Sequence, residues 1–148
     1  MASGVTDAGK TILLNNSFKG STVAADYHLI LISDTSGVDR DLTTLAGVTE
    51  LPTGAGYTAG GKTIAYSDIT VTDVGGTPGA KAVISDQQWD ATGTFPSSGT
   101  GARYAVLADG TTSSDNIVAW FDLTEARTLT NGQFLKLSGC EIDLNAPS

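Results

Sequence analysis

The chain has 148 residues, sixteen Asp and Glu against eight Lys and Arg for a net charge of −8, and one cysteine. That length makes one domain able to bury a core without a metal, and the lone Cys140 excludes an internal disulfide. The eight basic residues are scattered, which argues against nucleic acid and anionic membranes as partners, since both demand grouped Lys and Arg.

No signal peptide is expected, because the first residues lack a basic region followed by an apolar stretch. Asp7 to Gly20 reads as the one helix. Asp7 is placed to cap it, Ile12, Leu13, Asn16 and Phe18 give it an apolar side, and Gly20 ends it. Gly4 to Thr11 fits the phosphate-loop pattern G-x-x-x-x-G-K-[ST], but Met1-Ala2-Ser3 are too few for the strand such a loop requires. Tyr27 to Ser33 is a strand whose centre, Leu29-Ile30-Leu31-Ile32, predicts burial on both faces. That run is the longest aliphatic stretch and falls far short of the roughly 20 apolar residues of a membrane-spanning helix. Ser33 to Thr53 reads as a long loop with one helical turn in the Leu42, Leu45, Val48 pattern.

Gly56 to Thr63 fits the phosphate-loop pattern again, letter for letter. Pro52 before it is incompatible with a central strand, and Ile64 to Thr72 after it alternate like a strand where a helix is required. Nucleotide binding is therefore not expected. Thr63 to Thr72 changes parity near Ser67-Asp68, which predicts a kink. Gly75 to Gly79 is a turn, Ala80 to Ser85 a short strand, and Trp89 opens another. Thr92 to Gly101 is a Gly-Ser-Pro loop. Arg103 to Ala108 and Asn116 to Asp122 form a hairpin around Asp109 to Asp115. A second hairpin joins Thr128-Leu129-Thr130 to Gln133–Leu137 through Asn131-Gly132, and Glu141 to Leu144 is the last strand. The expected fold is all-β, an antiparallel, jelly-roll-like β-sandwich with one short N-terminal helix. It forms a single domain over 1–148, with 1–25 as an arm and helix.

Little in the chain selects a chemistry. His28 is the only histidine, and with Cys140 it falls short of a zinc ligand set. No nucleophile-elbow pattern marks a partner for it, and Cys140 reads as a small, partly buried hydrophobe. Asp34, Asp39 and Asp41, and Asp109 and Asp115, lie in loops without calcium-loop spacing, so they read as turn caps, with calcium left open. Trp89, Phe95, Tyr104, Trp120 and Phe121 raise a carbohydrate-platform reading, with core packing favoured. Trp120 and Phe121 are neighbours in a strand and face opposite sides, one toward the core and the other toward a second surface or a partner. No catalytic residue, cofactor or metal is selected, and an enzyme is not expected. Charged residues make up 16% of the chain against about a quarter in ordinary soluble domains. Thr occurs 21 times and Gly 18 times, and a Thr-Gly-Ser surface poor in charge suits coverage by neighbouring proteins.

An ordered set of short motifs runs along nearly the whole chain. It comprises a helix closed by a glycine, then Tyr27-His28-Leu29-Ile30-Leu31-Ile32-Ser33-Asp34. Next come Val48, Glu50, Leu51, Gly54, Gly56, Tyr57, Gly60, Gly61 and Lys62; Trp89, Ala91 and Phe95; and Ala102 to Leu107. The set ends with Ala119-Trp120-Phe121-Asp122-Leu123 and with Thr128, Asn131, Gly132, Leu135 and Leu137. In this the chain resembles a family of small structural proteins encoded in tailed-phage and prophage genomes. The resemblance implies a virion component, assembled in the host cytoplasm, with no catalytic residues. The leading expectation is a capsid decoration (cement) protein, a homotrimer bound to the major capsid protein. The runner-up is another virion role: head–tail connector, tail component or fibre-base module touching other virion proteins. A carbohydrate-binding module is the alternative from another class. Trp120, Phe121, Trp89 and Tyr57 are the candidate interface residues.

Overall fold

The computed structural model describes residues 3–20, 24, 26–35, 37–73 and 79–145. In chain order its elements are β1 (Ser3–Val5), α1 (Asp7–Lys19), β2 (Tyr27–Ser33), β3 (Lys62–Ile64), β4 (Ile69–Asp73), β5 (Gly79–Ile84), β6 (Gln87–Asp90), β7 (Ala102–Ala108), β8 (Ile117–Arg127), β9 (Phe134–Leu137) and β10 (Cys140–Asn145). Short 3₁₀ turns lie at Leu45–Gly47 and Tyr66–Asp68. The described strands all pair antiparallel, in three sheets ordered β1-β8-β7-β2-β3, β10-β5-β4 and β6-β9. The chain is all-β with a short N-terminal helix, as its strand-period patterning predicts.

β2 lies inside the largest sheet because it is apolar on both faces. Leu29 and Leu31 join Ile64, Ala105, Leu107, Ala119 and Phe121 in one core, and Ile30 and Ile32 join Val106, Ala108 and Ile117 in another. All four central β2 side chains are fully buried, each contributing about 1.5–3 kcal/mol. The first core is closed by the smaller sheets, through Ile84 and Cys140 of one and Trp89, Leu135 and Leu137 of the other, together with Tyr57 and Phe95. The second lies under Val38, Leu42, Leu45 and Val48, flanked by Tyr104 and Trp120.

The helix departs from expectation at its start. Thr6, not Asp7, is the cap: its backbone is extended, and its Oγ1 accepts the Gly9 N–H at 2.9 Å. Asp7 sits inside the first turn, paired with Lys10 at 2.9 Å. The Thr6 hydroxyl also donates to the Ile117 carbonyl, tying the helix to β8. Gly9 is the buried residue of α1, because a Cβ there would overlap the Val118 carbonyl oxygen. The helix docks by close backbone approach rather than through an apolar stripe. Phe18, expected on the apolar side, is 83% exposed.

The kink expected near Ser67-Asp68 is a complete break. β3 belongs to the five-stranded sheet and β4 to the three-stranded one. The 3₁₀ turn between them is held by Asp68, whose carboxylate accepts the Ala65 N–H at 3.0 Å. The first expected hairpin forms as β7 and β8, with β8 running on to Arg127. The second does not. The turn is present, Gln133 N–H donating to the Thr130 carbonyl at 3.0 Å, but β9 pairs with β6, while Leu129 bridges to Phe95. That pairing puts Leu135 and Leu137 into the core beside Trp89. The expected turn at Gly75 to Gly79 falls largely outside the described residues.

Candidate interaction surface and groove

The glycine-rich segment is a fold element. The Glu50 carboxylate accepts the Tyr57 hydroxyl at 2.7 Å and the Gly60 N–H at 2.6 Å. The Tyr57 hydroxyl in turn accepts the Leu31 N–H at 3.2 Å, fastening the loop to β2. Tyr57 is 2% exposed, and burial, then the bond to Glu50, drives its phenol far above the ordinary range. Gly56 and Gly61 have φ of 97° and 66°, and a Cβ on either would collide with the carbonyl oxygen of Asp90 or Leu29. Strand β3 follows, not a helix, and Lys62 lies over the Trp89 ring, 5.6 Å from its centroid. At the other phosphate-loop match, Ser3–Val5 forms a strand that overlaps the motif, with only Ser3 of it before Gly4, and leads into the helix. Its N–H groups are already engaged, Gly9 by the Thr6 hydroxyl and Lys10 by the Thr6 carbonyl, and Gly9 is pressed on β8. Neither segment has the geometry of a phosphate cradle.

The remaining candidate chemistries resolve into structural roles. His28 and Cys140 lie on different sheets. Cys140 is buried, and burial pushes its thiol up to about 11. Asp39 accepts the Asp41 N–H at 2.9 Å, and Asp109 accepts the Asn116 N–H at 2.6 Å. Asp115 accepts the Thr112 N–H at 2.7 Å, and Asp34 faces Arg103. Among the described residues no group of three or more His, Cys, Asp or Glu is placed to hold a metal ion.

Of the four candidate interface residues, Tyr57, Trp89 and Phe121 are core: 2%, 4% and 0% exposed. Their rings fill the space between sheets, so they are not available to a partner of the folded chain. Trp120, on the opposite side of β8 from Phe121, is only partly buried and closes the edge of the second core. Its ring packs on Gly4 of β1, and among the described residues its indole Nε1 has no hydrogen-bond partner.

Other apolar side chains meet solvent instead. Leu14, Phe18, Tyr66 and Val71 are 58%, 83%, 53% and 74% exposed. Leu14 and Phe18 are one helical turn apart on α1. Val71 of β4 and Leu13 of α1 line one apolar cleft of about 250 Å³, floored by Tyr27, Ile69, Ala82 and Ile142. The Tyr66 ring lies 6.4 Å from that of Tyr27. Sequence reasoning missed this surface because it treated the helix as amphipathic and β3–β4 as one strand.

A second concavity, of about 480 Å³, runs between the end of β8 and β9. Phe134, 57% exposed, stands at it with Asp122, Thr124, Arg127 and Lys136. Thr124 has φ of 68°, a conformation costing a β-branched residue about 1–3 kcal/mol. It is held there by its N–H, which donates to Asp122 Oδ1 at 2.7 Å. Arg103 grips the other Asp122 oxygen at 3.1 Å. The outward direction of Phe134 and Lys136 was legible in the alternation Phe134-Leu135-Lys136-Leu137.

No family model matches this chain, and neither the curated proteins nor the solved structures give a match. Among the described residues no helix is long and apolar enough to cross a membrane.

Proposed function

We propose that this chain is a structural component of a tailed-phage virion, a capsid decoration protein that binds the assembled lattice of the major capsid protein as a homotrimer. The observation that carries the reading is the set of exposed large apolar side chains, Leu14, Phe18, Tyr66 and Val71, with Val71 lining the apolar cleft. Large apolar side chains left exposed beside an apolar cleft suit contact with another protein, and interfaces favour aromatic side chains. The low charge of the sequence and its ordered motifs, several of which turn out to be fold-building, agree with this. A trimer suits the threefold and quasi-threefold points of an icosahedral shell, where one contact repeats by closed symmetry. Binding to the assembled lattice alone would stabilise it by mass action.

The test is heat challenge of capsids with and without the purified chain, with light scattering on the chain itself. The expected outcome is a trimer that raises capsid melting, and a Phe18→Ala, Val71→Thr variant that folds but no longer does so. A strict monomer without effect on capsid melting would remove the cement reading. A copy number matching a single ring rather than the shell lattice would favour the head–tail connector or tail alternative.

A further inference from the structure

We propose that the groove between the end of β8 and β9 binds a neutral oligosaccharide, with Phe134 as its stacking platform. The volume of about 480 Å³ falls within the range of about 300–1,000 Å³ typical of small-ligand sites. Three features give the ligand class. Phe134 offers an exposed ring on a paired strand, where its direction is fixed by the β6–β9 register. A ring face carries partial negative charge and attracts the polarised C–H groups of a sugar face. Hydrogen-bonding groups line the same groove, Asp122, Thr124, Arg127, Lys136 and Ser138 among them, without an unpaired excess of either charge sign. Arg127 is paired with Glu125 at 3.0 Å, Lys136 with Asp86 at 2.8 Å, and Asp122 with Arg103 at 3.1 Å. A groove whose ions are already matched does not call for a charged ligand, and the net charge of −8 repels anions at longer range. What it offers is donors and acceptors in planar groups, the complement of vicinal hydroxyls.

The capacity is present. Each Asp122 oxygen accepts one bond, from Thr124 N–H and from Arg103, while an ionised carboxylate accommodates about four. Arg127 uses Nη1 on Glu125 and Nη2 on the Leu123 carbonyl at 3.4 Å, out of about five guanidinium N–H donors. The third feature is strain. Thr124 keeps a left-handed backbone that its branched side chain disfavours, and it lies in this groove, locked by Asp122. Strain of this kind persists where the surroundings over-determine it, and it concentrates at binding sites. Here it sits where the β7–β8 register shifts, between the Tyr104–Asp122 and Ala102–Arg127 pairs, and so bends β8 at the groove. The proposal does not depend on the virion reading, since the groove shares no lining residue with the apolar cleft.

The experiment is a printed array of neutral and acidic glycans probed with the full chain, followed by calorimetry on the strongest neutral hit. Saturable binding of a neutral glycan is expected, weakened at least about tenfold by Phe134→Ala and restored by Phe134→Tyr. Phe134 is exposed, so the alanine variant should keep the parent melting temperature, which separates lost binding from lost folding. Thr124→Gly, which relieves the backbone but frees the bend, should weaken binding without lowering stability. Absence of any neutral hit, hits confined to acidic glycans, or affinity indifferent to Phe134→Ala would each overturn the assignment.

Discussion

The two faces of the five-stranded sheet are built from the same strands and covered in opposite ways. One face meets regular structure, two small sheets that bring Trp89, Leu135, Leu137, Ile84 and Cys140, with Tyr57 and Phe95 packed between. The other meets irregular chain, with Val38, Leu42, Leu45 and Val48 laid over Ile30, Ile32, Val106 and Ile117. That cover hangs on a few backbone bonds. Leu45 N–H donates to the Asp115 carbonyl at 3.0 Å, Ala46 N–H to Ser113 at 2.8 Å, and Ile117 N–H to Thr43 at 3.0 Å. Large rings and closed ladders should make the first face the cooperative heart of the domain. The second should open at lower free energy, as loop-covered surfaces do.

The sharpest way to break the comparison is truncation on either side. Phe121→Ala should cost about 3–5 kcal/mol, read from the midpoint of urea unfolding, because Phe121 is fully buried. Leu45→Ala, at a half-buried position, should cost only about 1–2 kcal/mol. Equal costs would show that the loop seals its face as firmly as the sheets seal theirs. Next in size comes Gly61→Ala. Its left-handed φ alone should cost about 1–3 kcal/mol, and the added methyl meets the Leu29 carbonyl in the middle of β2. The phosphate-loop pattern is tested on the parent chain, to which ATP and magnesium should give no saturable binding. A glycine replaced there without loss of stability would contradict the structural role assigned to this segment.

What the sequence revealed and what it hid follow the same division. The double burial of Tyr27–Ser33 and the opposed directions of Trp120 and Phe121 are local consequences of period-two geometry, and both appear as read. The choice of partner strand is not local. Asn131-Gly132 signals a turn correctly, yet β9 passes Thr128–Thr130 to pair with β6, because Leu135 and Leu137 gain burial beside Trp89. Side-chain size misled in the same way. Tyr57 and Trp89 are interface candidates by sequence yet lie in the core, and the Glu50 carboxylate that accommodates the Tyr57 hydroxyl can be identified only once the loop is closed. The exposure of Phe18 depends on Gly9, whose missing side chain turns the helix onto β8 through its backbone.

The smallest expected effect is the most specific to the second face. The Asp115 carboxylate accepts the Thr112 N–H at 2.7 Å and the Thr112 hydroxyl at 2.8 Å, and so holds the turn from which its own carbonyl grips Leu45. Those bonds, first the backbone one and then the hydroxyl, hold its pKa below the usual carboxylate range, with His28 a lesser contributor. A depressed folded value means the contribution is present above the unfolded value of about 3.9 and is lost as the pH falls through the folded one. Acid should therefore loosen the loop cover before it disturbs the sheet-covered core. The chain supplies one reporter for each face, since Trp120 borders the second core and Trp89 lies in the first. In a Trp89→Phe variant the emission of Trp120 should shift below about pH 4. In a Trp120→Phe variant the emission of Trp89 should hold to lower pH. Asp115→Asn should remove the early Trp120 transition, leaving that emission flat until global unfolding. If both tryptophans respond together in the parent background, the faces are coupled as one unit and the division between them fails.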